Sequence, residues 1–128
     1  MSKPPGEGRK RGRLSRSGDF DRVYREGSSH SNRYLVLYAF PRGADERDDD
    51  VRLGVSVSRK VGGAVDRNGV KRALREAFWA RDAKLPAGHD FVLIARPDIG
   101  GLVERDGTEG VGEALDELLA ASSSGGAA

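Results

Sequence analysis

The sequence predicts a two-layer α/β (α+β) sandwich, one sheet of about four strands with helices packed on it. Two kinds of segment lead there. Apolar runs at 33–40, 51–60 and 90–96 have strand character, and stretches at 17–27, 66–84 and 109–121 place apolar residues at helical spacing. They alternate in the order helix, strand, strand, helix, strand, helix. At 128 residues the chain is the size of one domain with a single modest core, and it contains no internal repeat.

Each element has a local reason. Residues 1–16 are rich in Gly, Pro and Arg and nearly devoid of apolar side chains. They read as a flexible basic arm, with the domain itself drawn from 13 to 121 after an arm at 1–12. In SGDFDRVYREG, Ser17 is the expected N-cap, Asp19 and Asp21 sit in the positive first turn, Arg22 and Arg25 lie late, and Gly27 stops the helix. Phe20, Val23 and Tyr24 share one face. RYLVLYAF, ended by Pro41, is a strand, and ADERDDD is an exposed connection. In VRLGVSVSRK the alternation is clean: Val51, Leu53, Val55 and Val57 face one way, Arg52, Gly54, Ser56, Ser58 and Lys60 the other. The second face is flat and basic, with room for close approach. The next helix takes Asp66 as its expected N-cap and turns Val70, Leu74, Ala77 and Phe78 inward. DFVLIAR is a third strand, and EGVGEALDELLAA a helix with Val111, Leu115, Leu118 and Leu119 inward. Residues 122–128 read as a frayed tail.

The net charge of +2 hides its distribution. Residues 1–43 carry ten Lys/Arg against four acids and residues 51–84 nine against three, whereas 85–128 carry two against eight. Two basic blocks beside an acidic loop and an acidic C-terminal third suit an anionic partner on one face, as they also suit an ordinary solvated surface. Cysteine is absent, which excludes disulfides, thiol nucleophiles and zinc ribbons. No apolar run approaches the roughly 20 residues of a membrane span. The charged start MSKPPGEGRKRGR has no apolar segment behind it, so a cytoplasmic protein is expected.

Little in the chain points to catalysis. His30 and His89 lie far apart without ligand spacing, and the acids of ADERDDD read as solvated rather than as a Mg2+ site. VGGAVDRNGVKR lacks the spacing of a phosphate-cradling loop. Binding is better supported. At about 100° per residue, Arg67, Asn68, Lys71, Arg72 and Arg75 fall within a wedge of roughly 140°, with the core stripe clustered on another side. Cations held on one face neutralise phosphates, and Arg offers forked donors matched to phosphate oxygens. A surface ion pair from Arg72 to Glu76 would account for one of these cations, not four. Trp79 lies at the edge of the wedge, where it either closes the core or stacks on a partner.

Taken in order, RLSRSGDFDRVYREG, NRYLVLYAF, RLGVSVSRKVGGAV, RNGVKRALREAF and DFVLIAR resemble the protein subunit of bacterial ribonuclease P, over about residues 13–96. The pairing of GVSVSRK with RN-x-x-KR-x-x-RE is the most specific part. The resemblance implies that catalysis belongs to a partner RNA, a Mg2+-dependent ribozyme that removes the 5′ leader of precursor tRNA. The protein would then have no catalytic residue, hold no metal stably and need no protein partner or membrane. It assigns Arg67, Asn68, Lys71, Arg72 and Arg75 to the catalytic RNA. It assigns Phe20, Tyr24, Arg33, Tyr34, Ser56, Ser58 and Lys60 to a cleft for the single-stranded leader, in keeping with aromatic platforms beside a cationic groove. It also implies a left-handed βαβ crossover, against the general right-handed rule, in a fold like the second domain of ribosomal protein S5. Two departures stand out: Gly69 replaces a usual third basic residue, and the acidic stretches make the chain less basic than its relatives. A general RNA-binding protein without a part in cleavage is the competing reading.

Overall fold

The computed structural model describes residues 11–42 and 50–125. The elements are β1 (Arg11–Arg13), α1 (Ser17–Glu26), β2 (Ser28–Ser31), β3 (Leu35–Pro41), β4 (Val51–Val57), α2 (Ala64–Trp79), β5 (His89–Ala95) and α3 (Ile99–Gly125), with a 3-10 turn at Asp82–Lys84. The five strands form one sheet in the order β1-β4-β5-β3-β2. β4 runs parallel to both β1 and β5, while β3 is antiparallel to β5 and to β2.

The sheet has five strands against the expected four or so, and two of them, β1 and β2, do not announce themselves by apolar pattern. β1 is RGR from the end of the expected arm, so Arg11 and Gly12 belong to the folded domain; residues 1–10 lie outside the described residues. β2 is the polar segment SSHS, an edge strand that owes its form to pairing with β3. Its turn is an Asx turn, in which Asn32 Oδ1 accepts the N–H groups of Tyr34 and Leu35, both at 3.0 Å.

The strand alternation builds two cores of unequal size. Leu35, Leu37, Val51, Leu53, Phe91 and Leu93 face α2 and α3, meeting Val70, Leu74, Phe78, Ile99, Leu115 and Leu118. On the opposite face Val23 of α1 closes over Leu14 and Val92. Helices therefore cover both faces of the sheet, and the expected two layers gain a partial third, because Phe20 and Val23 need an apolar surface of their own.

Helix starts and ends differ from the sequence reading for physical reasons. Arg16, not Ser17, is the N-cap of α1, with no side-chain cap bond. Leu14 N–H is already bonded to Leu53 O at 3.0 Å, which ties the chain to the sheet edge and brings the helix start forward. α2 begins at Ala64 after Gly63, so Asp66 occupies the first turn instead of capping it. α3 begins ten residues before the expected 109, and Gly107 at φ 61° breaks it into two helical halves. Its end at Gly125 takes in part of the expected tail; 126–128, like the acidic stretch at 43–49, lie outside the described residues. Among the described residues no helix is long and apolar enough to cross a membrane.

Candidate nucleic-acid interface

The wedge of α2 survives folding as an accessible cationic strip. Val70, Ala73, Leu74, Ala77 and Phe78 anchor the helix in the core, leaving Asn68 and Arg72 exposed and Arg67, Lys71 and Arg75 half-buried along the adjoining side. Among the described residues, none of Arg67, Lys71, Arg72 and Arg75 has a carboxylate within 4.0 Å, whereas Arg11, Arg22, Arg33, Arg42, Arg52 and Arg81 each have one. The Arg72–Glu76 pair weighed from the sequence does not form; Glu76 instead accepts a bond from Thr108 Oγ1 at 3.3 Å. Arg67 Nε is buried and has no hydrogen-bond partner among the described residues. Burial, and then the charge of Arg13, lower the Arg75 pKa. Four cations without anions on one rigid helix are a surface prepared for an external polyanion.

The flank of this strip carries the Gly69 departure. A Cβ there would meet nothing within 4 Å, so neither packing nor backbone conformation demands glycine. Gly69 instead borders a groove of about 480 Å³ with the exposed Val65, Asp66 and Glu104 and the half-buried Val103. The acidic helix α3 thus does not stay wholly clear of the basic one.

The second candidate surface lies across the sheet. Register puts three rows on the α1 face: Arg52–Asp90–Phe40, Gly54–Val92–Tyr38 and Ser56–Ile94–Val36. α1 covers the first two. Phe20 lies so close above Gly54 that a Cβ there would stand 2.6 Å from its ring, which is why this position is glycine. The rings of Phe20, Tyr24 and Tyr38 continue as a ladder, with centroids 6.2 and 5.0 Å apart. Burial, with Tyr38 and Asp21 nearby, raises the Tyr24 phenol pKa. The third row is left open, with Ser56 exposed and Val36 and Ile94 half-exposed.

Not all residues expected in this cleft come together. Phe20, Tyr24 and Ser56 share the open face, and the exposed Ser58 and Lys60 form the turn leaving β4. Arg33 and Tyr34 go elsewhere. Tyr34 packs against the main core, its hydroxyl 3.5 Å from Arg105, and Arg33 pairs with Asp98 at 2.9 Å. The Asx turn at Asn32 redirects the chain just before β3 and carries them toward α3. Tyr38, which sequence reasoning passed over, takes a place in the ladder; its signal was the alternation within RYLVLYAF. Trp79 packs edge-on against Phe78 and is covered by the Arg11 guanidinium, 5.3 Å from its ring centroid.

Beneath α1, Asp90 has no exposed surface and receives Arg42 Nη1 at 2.6 Å, Arg52 Nε at 2.7 Å and Arg22 Nη2 at 3.3 Å. Burial alone would raise its pKa, but the bonds from Arg52 and Arg42 outweigh it and hold the carboxyl below the ordinary range. His89 is occupied structurally, with Nδ1 2.9 Å from Ala87 O and its ring stacked on Phe91. Among the described residues no three His, Asp or Glu side chains gather as a metal site.

Comparison with known proteins agrees with this architecture. The family model of ribonuclease P matches residues 9–119, which span all eight elements but for the end of α3. The chain belongs to the ribonuclease P protein family. The ribonuclease P protein component of Clostridium acetobutylicum is 45% identical over 92 residues, covering 72% of this chain and 76% of the relative. That of Halalkalibacterium halodurans is 43% identical over 88 residues, covering 69% and 71%. The RNase P protein of Staphylococcus aureus superposes with a TM-score of 0.74 at 34% identity, covering 86% of this chain and 94% of its own. That of Thermotoga maritima gives 0.72 at 37% identity, covering 84% and 94%. Both candidate surfaces lie within the segment shared with these ribonuclease P proteins.

Proposed function

We infer that the chain is the protein subunit of a ribonuclease P ribonucleoprotein, acting in tRNA processing with its α2 face on the catalytic RNA. The observation that carries this is the strip of Arg67, Lys71, Arg72 and Arg75, which lacks internal anions among the described residues, while Asp90, Asp98 and Asp116 pair with other arginines. In this reading the RNA subunit holds the Mg2+ ions and hydrolyses the phosphodiester that joins the leader to tRNA, and the complex works in the cytoplasm. The protein contributes binding: cations along α2 for the RNA backbone, with Asn68 at the exposed start of the strip, and an open sheet face for the leader. A left-handed β4–α2–β5 crossover, as in the second domain of ribosomal protein S5, belongs to the same reading.

For the leader, the geometry supports a smaller residue set. The Phe20–Tyr24–Tyr38 ladder and the row through Ser56 and Ile94 give a flat aromatic and small-residue track, continued by Ser58 and Lys60. Arg33 and Tyr34 stand outside it. Tyr24, the most exposed of the three rings, is the discriminating position. Tyr24→Ala is expected to weaken binding of precursor tRNA to the reconstituted complex by several-fold, in line with about 1–3 kcal/mol for one base–aromatic stack, and to leave mature tRNA unaffected. Equal loss for both substrates, which general RNA binding would give, contradicts the assignment.

A further inference from the structure

The cationic surface does not end with α2. In β1 the residues alternate, and Gly12 backs onto Arg52, whose Cγ would lie 2.7 Å from a Cβ at that position. Arg11 and Arg13 therefore turn to the other side of the sheet, toward the C-terminal half of α2. There a groove of about 260 Å³ opens between the strand and the helix, lined by Arg11, Arg13, Leu53, Arg75 and Trp79. Arg11 is satisfied within the fold: it covers Trp79, its Nη2 lies 3.4 Å from Trp79 O and 3.8 Å from Asp82 Oδ2.

Arg13 and Arg75 are not. Among the described residues neither has a carboxylate within 4.0 Å or a hydrogen bond from its guanidinium. They are near enough for the charge of Arg13 to act on Arg75, adding to the effect of burial. Two like charges brought together on rigid elements oppose the free fold, and an anion between them turns repulsion into attraction. The forked guanidinium matches phosphate oxygens, and the groove is continuous with the strip that ends at Arg75.

We propose that Arg13 and Arg75 jointly hold one backbone phosphate of the catalytic RNA at the seam between β1 and α2. This rests on the docking reading above and extends the footprint from one helix face to the sheet edge. The sequence reading had left Arg13 just inside the domain boundary without a role.

The test is a salt titration of catalytic-RNA binding by the full chain carrying Arg13→Gln, Arg75→Gln or both, with Arg72→Ala measured alongside. Gln keeps most of the aliphatic stem, and relief of repulsion predicts that thermal unfolding of the free variants is unchanged or shifted upward. The double variant is expected to lower the slope of log K against log salt by about 0.7–0.9, the value for one phosphate. Each single variant should lose much less, because the remaining arginine still holds the phosphate. Arg75→Lys should keep the slope while losing affinity, since charge remains and the fork does not. An unchanged slope in the double variant overturns the proposal, as do additive single losses amounting to two phosphates. A loss confined to leader-bearing precursor moves the site to the substrate and overturns it as well. If Arg72→Ala weakens binding and the double variant does not, only the clamp fails; if neither does, the docking reading fails too.

Discussion

At the residue scale, the most consequential group is Asp90. One buried carboxylate collects Arg22 from α1, Arg42 from the end of β3 and Arg52 from β4, and so fixes where the first helix sits on the sheet. Asp90→Asn leaves Arg42 buried without its counter-charge, and urea unfolding is expected to show a loss of about 3–5 kcal/mol. The pH dependence has a definite sign. The folded pKa of Asp90 is depressed, so its stabilisation is complete above the unfolded value of about 3.9 and is lost as pH falls through the lower folded value. The Asn variant should therefore show a flatter acid limb. Nothing in DFVLIAR advertised this role, since the partners lie 38 to 68 positions away and only folding assembles them. Gly69 is the opposite case: the departure was legible, and the structure adds that space is open around it. Gly69→Ala should raise stability by about 1 kcal/mol, read as a higher thermal midpoint, because nothing opposes the gain in helix propensity.

At the scale of elements, legibility followed the strength of periodic pattern. α2, β3, β4 and β5 carry unbroken apolar stripes, and the predicted inward residues of α2 are buried: Val70, Leu74, Ala77 and Phe78 are each at most 4% exposed, while in β4 Val55 is only half-buried. β1, β2 and the first half of α3 carry weak pattern or none. The strands arise from edge pairing, which a single segment cannot reveal. The helix start at Ile99 was hidden by the two glycines after it, although Ile99, Leu102 and Val103 hold the helical spacing. The cleft was half legible for the same reason, as the turn at Asn32 decides where Arg33 and Tyr34 point. For α2 itself, Arg67→Ala or Arg72→Ala should weaken binding to the catalytic RNA and flatten its salt dependence by about 0.7–0.9 per lost phosphate contact. An unchanged slope would remove that residue from the interface.

At the scale of the whole molecule, the near-neutral chain sorts its charges. Three acids of the C-terminal third serve as internal partners: Asp116 holds Arg81 at 2.6 Å and Lys84 at 3.1 Å, Asp98 holds Arg33, and Asp90 holds Arg42 and Arg52. Among the described residues, four cations in a row along α2, with Arg13 beside them on β1, have no carboxylate within 4.0 Å. On the proposed reading, such a molecule lies between an RNA scaffold on one side of its sheet and a single strand on the other, and assists a catalytic RNA. The direct measurement of that claim is leader cleavage of precursor tRNA by the cognate RNA subunit, with and without this chain, at a Mg2+ concentration where the RNA alone is slow. The account predicts marked stimulation by the chain and no cleavage when the RNA is left out; absence of stimulation, or cleavage by the chain alone, would contradict it.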